Sequence, residues 1–229
     1  MLPNVIDSRE QFPLSLYSDD DPLTLVVDGN DSGGRYPGTI EIARSMGLKP
    51  PRLNGDGISV PWIMSTDFLL DIQNPDGTTS RLALAFKPSN WNKRRRTVDL
   101  LNIERMYWHH RGVRWFLLTP DLHNKSISKT LSRVACWALG DPAPTELIDL
   151  AVAIAINDPF QPVSRLMKRL TIETDSMENA QKALWQAIWF GKLPVDLRLT
   201  WRPHLPLVHL STEDFWKQNP IASRSSAWI

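Results

Sequence analysis

The sequence predicts an α/β domain built on a mixed sheet, followed by a mostly α-helical domain, and three features carry that reading. Two apolar stretches, Ser65–Gln73 and 80–87, flank Asn74-Pro75-Asp76-Gly77-Thr78, a strong hairpin signal. A segment with helical periodicity over 98–111 and an apolar run over 114–119 come next, so strands alternate with helices. Beyond Gly140-Asp141-Pro142-Ala143-Pro144, where two prolines prevent a helix from continuing, further helical segments follow. That break predicts a first domain over 1–140 and a second over 145–229.

In chain order, residues 5–16 are extended, and Pro13 suits an edge or irregular strand. Residues 19–59 contain turn residues throughout, among them Asp28-Gly29-Asn30, Gly33-Gly34 and Asn54-Gly55-Asp56-Gly57. Only 39–46 reads as a short helix there, closed by Gly47. The helix over 98–111 places Leu100, Leu101, Met106, Tyr107 and Trp108 near helical spacing, and Gly112 can end it. A strand over 114–119 and a helix over 126–139 complete the first domain. The second begins with helices over 145–156 and 163–170. A third, over 176–190, has Asp175 and Glu178 as cap and reciprocal partner, an apolar stripe of Ala180, Ala183, Leu184, Ala187 and Ile188, and Gly191 as its stop. Proline-marked residues 193–210 read as a β-hairpin, and helices followed by a hairpin are the pattern of a winged helix. Such domains bind protein as well as DNA.

Composition narrows the function classes. Over 229 residues the net charge is +1, so any nucleic-acid surface has to be local. The single Cys136 excludes an internal disulfide or a cysteine metal cage, and its apolar run, 134–138, places it in the core of a protein from a reducing cytoplasm. No stretch reaches the length of about 18 apolar residues that crosses a bilayer, and the first residues carry no signal peptide, so no membrane is involved. Ten tryptophans, mostly in amphipathic segments, predict a strongly aromatic interior.

The hairpin brings chemistry with it. With 74–78 as the loop, Gln73 pairs with Thr79 and Asp67 lies opposite Ala85, so Asp67 and Lys87 project as diagonal neighbours. A four-residue loop would break that parity. A carboxylate and a lysine so placed are parts of metal-dependent phosphodiester cleavage: the acid holds a divalent cation, and the lysine stabilises developing charge or positions water. A second oxygen ligand belongs two residues before the lysine, and Ala85 has none.

The surrounding blocks are more specific. Ser8-Arg9-Glu10-Gln11-Phe12-Pro13-Leu14, Met64-Ser65-Thr66-Asp67-Phe68-Leu69, Phe86-Lys87-Pro88-Ser89, Glu104-Arg105-Met106-Tyr107-Trp108 and Trp115-Phe116-Leu117-Leu118-Thr119 follow one another in order. This series resembles the TnsA-type endonuclease subunit of heteromeric transposases, closely over about 4–120 and more loosely beyond. The resemblance implies a restriction-endonuclease-like fold of the PD-(D/E)xK kind, a mixed sheet with flanking helices, followed by a winged-helix-like domain. It implies magnesium-dependent cutting of the 5′ strands at transposon ends, in a bacterial cytoplasm. It implies three partners: transposon-end DNA, a DDE transposase of the TnsB type and an ATPase regulator of the TnsC type. On the matching positions, Asp67 is the metal ligand and Lys87 the catalytic lysine. Two positions depart. The family has Gln or Glu where Ala85 stands, and its first catalytic glutamate lies on a helix upstream of the block at Arg9, for which residues 1–8 leave no room, as in an N-terminally truncated chain. The sequence therefore leaves two readings open: an endonuclease with an altered magnesium site, or an inactive relative that binds DNA and partners.

Other acids and bases have stated expectations. Glu10, Glu41 and Asp71 read as structural or surface acids. Lys93, Arg94, Arg95 and Arg96, just past the catalytic strand, read as DNA phosphate contacts. His109-His110 reads as helix surface, Arg165, Lys168 and Arg169 as a solvated face, and Trp185 and Trp189 as packing residues of the second domain or a partner contact. The tail, 224–229, reads as poorly ordered or as a docking segment.

Overall fold

A four-stranded sheet organises the first half of the chain in the computed structural model, which describes residues 4–18, 36–74, 76–199 and 202–228. The strands are β1 (Val5–Pro13), β2 (Arg52–Gly55), β3 (Ile58–Pro61), β4 (Ser65–Gln73), β5 (Thr79–Phe86) and β6 (Arg114–Leu118). The helices are α1 (Thr39–Ser45), α2 (Arg95–His110), α3 (Lys125–Ala138), α4 (Thr145–Asn157), α5 (Val163–Thr174), α6 (Met177–Trp189) and α7 (Thr212–Lys217). The described residues divide into two compact units: one takes those of 4–120 with 226–228, the other those of 121–225.

In the first unit the sheet order is β1-β4-β5-β6, with β1, β4 and β5 antiparallel and β6 parallel to β5. The mixed sheet expected from sequence is present. A parallel neighbour needs a crossover, and α2 supplies it. Gln73 pairs with Thr79, the register that the five-residue loop predicts. Leu69, Ala83, Ala85 and Leu117 of the sheet share a core with Leu101, Ile103, Tyr107 and Trp108 of α2. Small Ala83 and Ala85 leave room for the large rings. Asn54-Gly55-Asp56-Gly57 forms more than turns: Asp56 and Gly57 take φ of 48° and 75°, the conformation of a two-residue hairpin turn, and β2 and β3 flank it as a two-stranded ribbon. Gly38, at the entry to α1, is required sterically, because a Cβ there would lie 2.3 Å from the Leu16 carbonyl oxygen. The expectations for Asp28-Gly29-Asn30 and Gly33-Gly34 fall outside the described residues.

The second unit is helical and centres on α6, where Ala180, Ala183, Leu184, Ala187 and Ile188 are all buried. The predicted stripe faces inward, Trp185 is buried with it, and Trp189 packs against the same core. The cap differs from the expectation: Ser176 Oγ accepts the Asn179 N–H, Glu178 instead pairs with Lys182 one turn on, and Asp175 sits in the left-handed conformation that closes α5. The break at 140–144 does not coincide with the division between the units. The expected boundary lies later than the observed one because α3 contributes Ile127, Val134 and Ala138 to the helical core. Cys136, expected inside, is exposed: Val134 and Ala138 are one turn apart on the inward face, and 136 falls between them on the outer one. The wing expected over 193–210 is reduced, among the described residues, to single bridges, Val195 to His209 and Pro162 to Pro206. Pro194, Pro203 and Pro206 lack the N–H groups a ladder needs. No helix among the described residues is long and apolar enough to cross a membrane.

Candidate active site

Asp67 lies near the start of β4, in the central pair of the sheet, and Lys87 immediately follows β5. The structure brings them together. Lys87 Nζ is 3.3 Å from Asp67 Oδ2 and donates to the Phe86 carbonyl at 2.9 Å. The Phe86 N–H donates to the same Oδ2 at 2.6 Å, while Gln11 Nε2 donates to Oδ1 at 3.2 Å. Gln11 is itself oriented by Ser65, whose hydroxyl donates to Gln11 Oε1 at 2.7 Å. The carboxylate is therefore fixed from both neighbouring strands before any ligand arrives, which is what a preorganised site needs.

Both residues line a cavity of about 840 Å³. A third functional group in it is Glu104 of α2, which sequence reasoning placed in a matching block without a role. Glu104 is buried; its Oε1 accepts from the Thr66 hydroxyl at 2.8 Å and from Trp115 Nε1 at 3.1 Å, and Trp108 Nε1 donates to that same threonine at 2.6 Å. Burial pushes the Glu104 carboxyl up to about 7; the two hydrogen bonds and the charge of Lys87 oppose the rise, and the charge of Asp67 adds to it. Besides that block, its sequence signal was the periodicity of α2, which puts residue 104 on the same face as Leu101 and Trp108.

The basic cluster divides. Lys93 and Arg94 line the cavity, Arg95 is the exposed first residue of α2, and Arg96 donates to the carbonyls of Lys49 (2.7 Å) and Pro50 (3.0 Å). The turn carrying Lys93, Trp91–Lys93, is braced by the tail. Trp228 stacks on Trp91 with ring centroids 5.0 Å apart, meets Trp115 edge-on at 5.7 Å and lies under the Arg105 guanidinium. Ala227 N–H donates to the Leu117 carbonyl at 2.8 Å, and Leu117 N–H donates to Ser226 Oγ at 3.1 Å, so the tail covers part of the open edge of β6.

The other acids stay structural. Asp71 is held between Arg9 (2.7 Å) and Arg81 (2.9 Å), and Glu41 accepts the Gly38 N–H at the start of α1. Glu10 is exposed opposite Phe68. His109 and His110 are exposed at the end of α2. Ala85 is fully buried and offers a methyl group. Among the described residues no three His, Cys, Asp or Glu side chains gather as a metal cluster. Asp67 and Glu104 are the two carboxylates lining the cavity among the described residues, and a magnesium-type ion commonly takes one or two carboxylates and completes its shell with water and substrate phosphate.

The model of the family described as TnsA-like endonuclease N terminal matches residues 2–120. Transposon Tn7 transposition protein TnsA from Escherichia coli is 33% identical over 128 residues, covering 56% of this chain and 37% of that protein. The chain thus matches well under half the length of that relative.

Proposed function

Because the chain belongs to the TnsA-like endonuclease family, we propose that it is the endonuclease subunit of a heteromeric transposase, cutting the 5′ strands at transposon ends with a divalent cation, magnesium first among them. One observation carries the reading: Asp67 and Lys87 meet at 3.3 Å in a cavity that also receives the buried carboxyl of Glu104. Asp67 and Glu104 would hold the cation, which when bound polarises a phosphate and acidifies its water. Lys87 brings a positive charge beside the scissile phosphate, where negative charge accumulates as the P–O bond breaks. Lys93 and Arg94, which line the same cavity, would contact neighbouring phosphates and fix the strand in register without reading bases. By the same resemblance, a DDE transposase of the TnsB type and an ATPase of the TnsC type are the partners.

Ala85 favours a second reading, a relative that binds DNA and partners without cutting, because one expected oxygen ligand is a methyl group. The test is strand cleavage of labelled transposon-end DNA with transposase and ATPase present. Under the first reading the parent chain nicks the 5′ strand and Lys87→Ala slows it about 100- to 1000-fold, the scale of losing one charge-stabilising donor. If the parent is inert and Ala85→Gln alone confers cutting, the second reading holds.

A further inference from the structure

The second unit contains a concavity of about 160 Å³ whose lining is cationic and hydroxylic. Ser126, Lys129, Thr130 and Arg133 come from α3, and Arg198 and Arg202 from the segment between the bridge residues Val195 and His209. The α3 residues stand at i, i+3, i+4 and i+7, which is one face of the helix. The adjacent face carries Ile127, Val134 and Ala138 into the core, which fixes the rotation of the helix and keeps the stripe at the concavity. Among the described residues no carboxylate lines it. Asp196, two residues before Arg198, is buried and grips that guanidinium at Nε (2.8 Å) and Nη2 (2.5 Å), which orients Arg198. Lys129 and Arg202 line the same space as Arg198 and Arg133.

Convergent like charges repel, and an anion between them reverses the sign of the interaction. Guanidinium forks pair bidentately with phosphate as with carboxylate, and the two hydroxyls add donors for the further oxygens that a tetrahedral oxyanion carries. All four basic residues are exposed, so the site opens outward and admits a phosphate that belongs to a polymer. We propose that this concavity binds a backbone phosphate of duplex DNA, giving the second unit its own sequence-independent hold on the substrate.

The proposal rests on the reading of the chain as DNA-acting, and the experiment separates the two. Binding of labelled transposon-end duplex to the full chain is followed across about 50–200 mM salt, a range over which phosphate contacts dominate the change in affinity. The parent is compared with Lys129→Ala/Arg202→Ala and with Lys93→Ala/Arg94→Ala, and far-ultraviolet circular dichroism checks that each stays folded. Lys129→Ala/Arg202→Ala is expected to weaken binding about 5- to 20-fold and to flatten log K against log salt by about 0.9, the value for one lost phosphate contact. Unchanged affinity and slope in that variant, with weakening in Lys93→Ala/Arg94→Ala, overturns this site and leaves the DNA reading intact. If neither variant weakens binding, both fail. Inorganic phosphate as competitor distinguishes the source: a variant that loses only its response to free phosphate marks a small-anion site and overturns the DNA assignment.

Discussion

Glu104→Gln should abolish a pH-dependent weakness of the folded protein. Burial raises this carboxyl from 4.5 to about 7, so the folded state holds its proton more tightly than the unfolded chain. Below the unfolded value both states are protonated and the group contributes nothing differential. Between there and about 7 the unfolded chain ionises first, and stability falls as pH rises. Above about 7 the full loss is reached. A shift of that size corresponds to about 3 kcal/mol, at 1.36 kcal/mol per pKa unit. Glutamine keeps an oxygen for Thr66 and Trp115 and cannot ionise. In metal-free buffer the variant should match the parent near pH 4 and exceed it by up to about 3 kcal/mol at pH 8. Thermal unfolding reads this as a separation growing with pH, at about 2–4 °C per kcal/mol for a chain of this size. Parallel curves from pH 4 to 9 would show that Glu104 is not held in a low-dielectric site, and its place in the mechanism would fall with that.

Three further outcomes follow from the same geometry. Magnesium or manganese at pH 8 should raise the unfolding temperature of the parent but not of Asp67→Asn, because ligand bound only to the folded state stabilises it; equal shifts would place the ion elsewhere. Trp228→Ala should lower the stability of the first unit by about 1–3 kcal/mol through lost ring contacts and burial, and weaken DNA binding by releasing the turn at Trp91–Lys93; Trp228→Phe should recover most of both, measured by denaturant unfolding and duplex titration. Gly38→Ala should destabilise by about 3 kcal/mol, at the upper end for overpacking, because the new methyl meets backbone 2.3 Å away; thermal unfolding within a degree of the parent would contradict that contact.

How far the sequence could be read depended on how local each determinant is. The turn at 74–78 sets the β4–β5 register within a few residues, so the meeting of Asp67 with Lys87 was legible. Glu104 was not: its burial depends on Thr66 and Trp115, residues on two separate strands, and in α2 alone it reads as one more charged residue. Asp56-Gly57 was visible as a turn, but the strands beside it are fully exposed and carry no inward-outward alternation to betray them. The proline break at 140–144 marks where a helix stops, which is not the same as where a core ends; α3 precedes the break and packs beyond it. The tail was unreadable because the aromatic groove it fills is assembled from Trp91 and Trp115, on separate elements.

The most direct test of the account is the position and Asp67-dependence of strand scission. End-labelled transposon DNA, incubated with the parent chain, its transposase and ATPase and manganese, should be nicked on the 5′ strand, and Asp67→Asn should remove that nick while transposase action on the 3′ strand continues. A 5′ nick that persists in Asp67→Asn would contradict the site described around Asp67, Lys87 and Glu104, and absence of the nick in the parent would contradict cleavage by this chain.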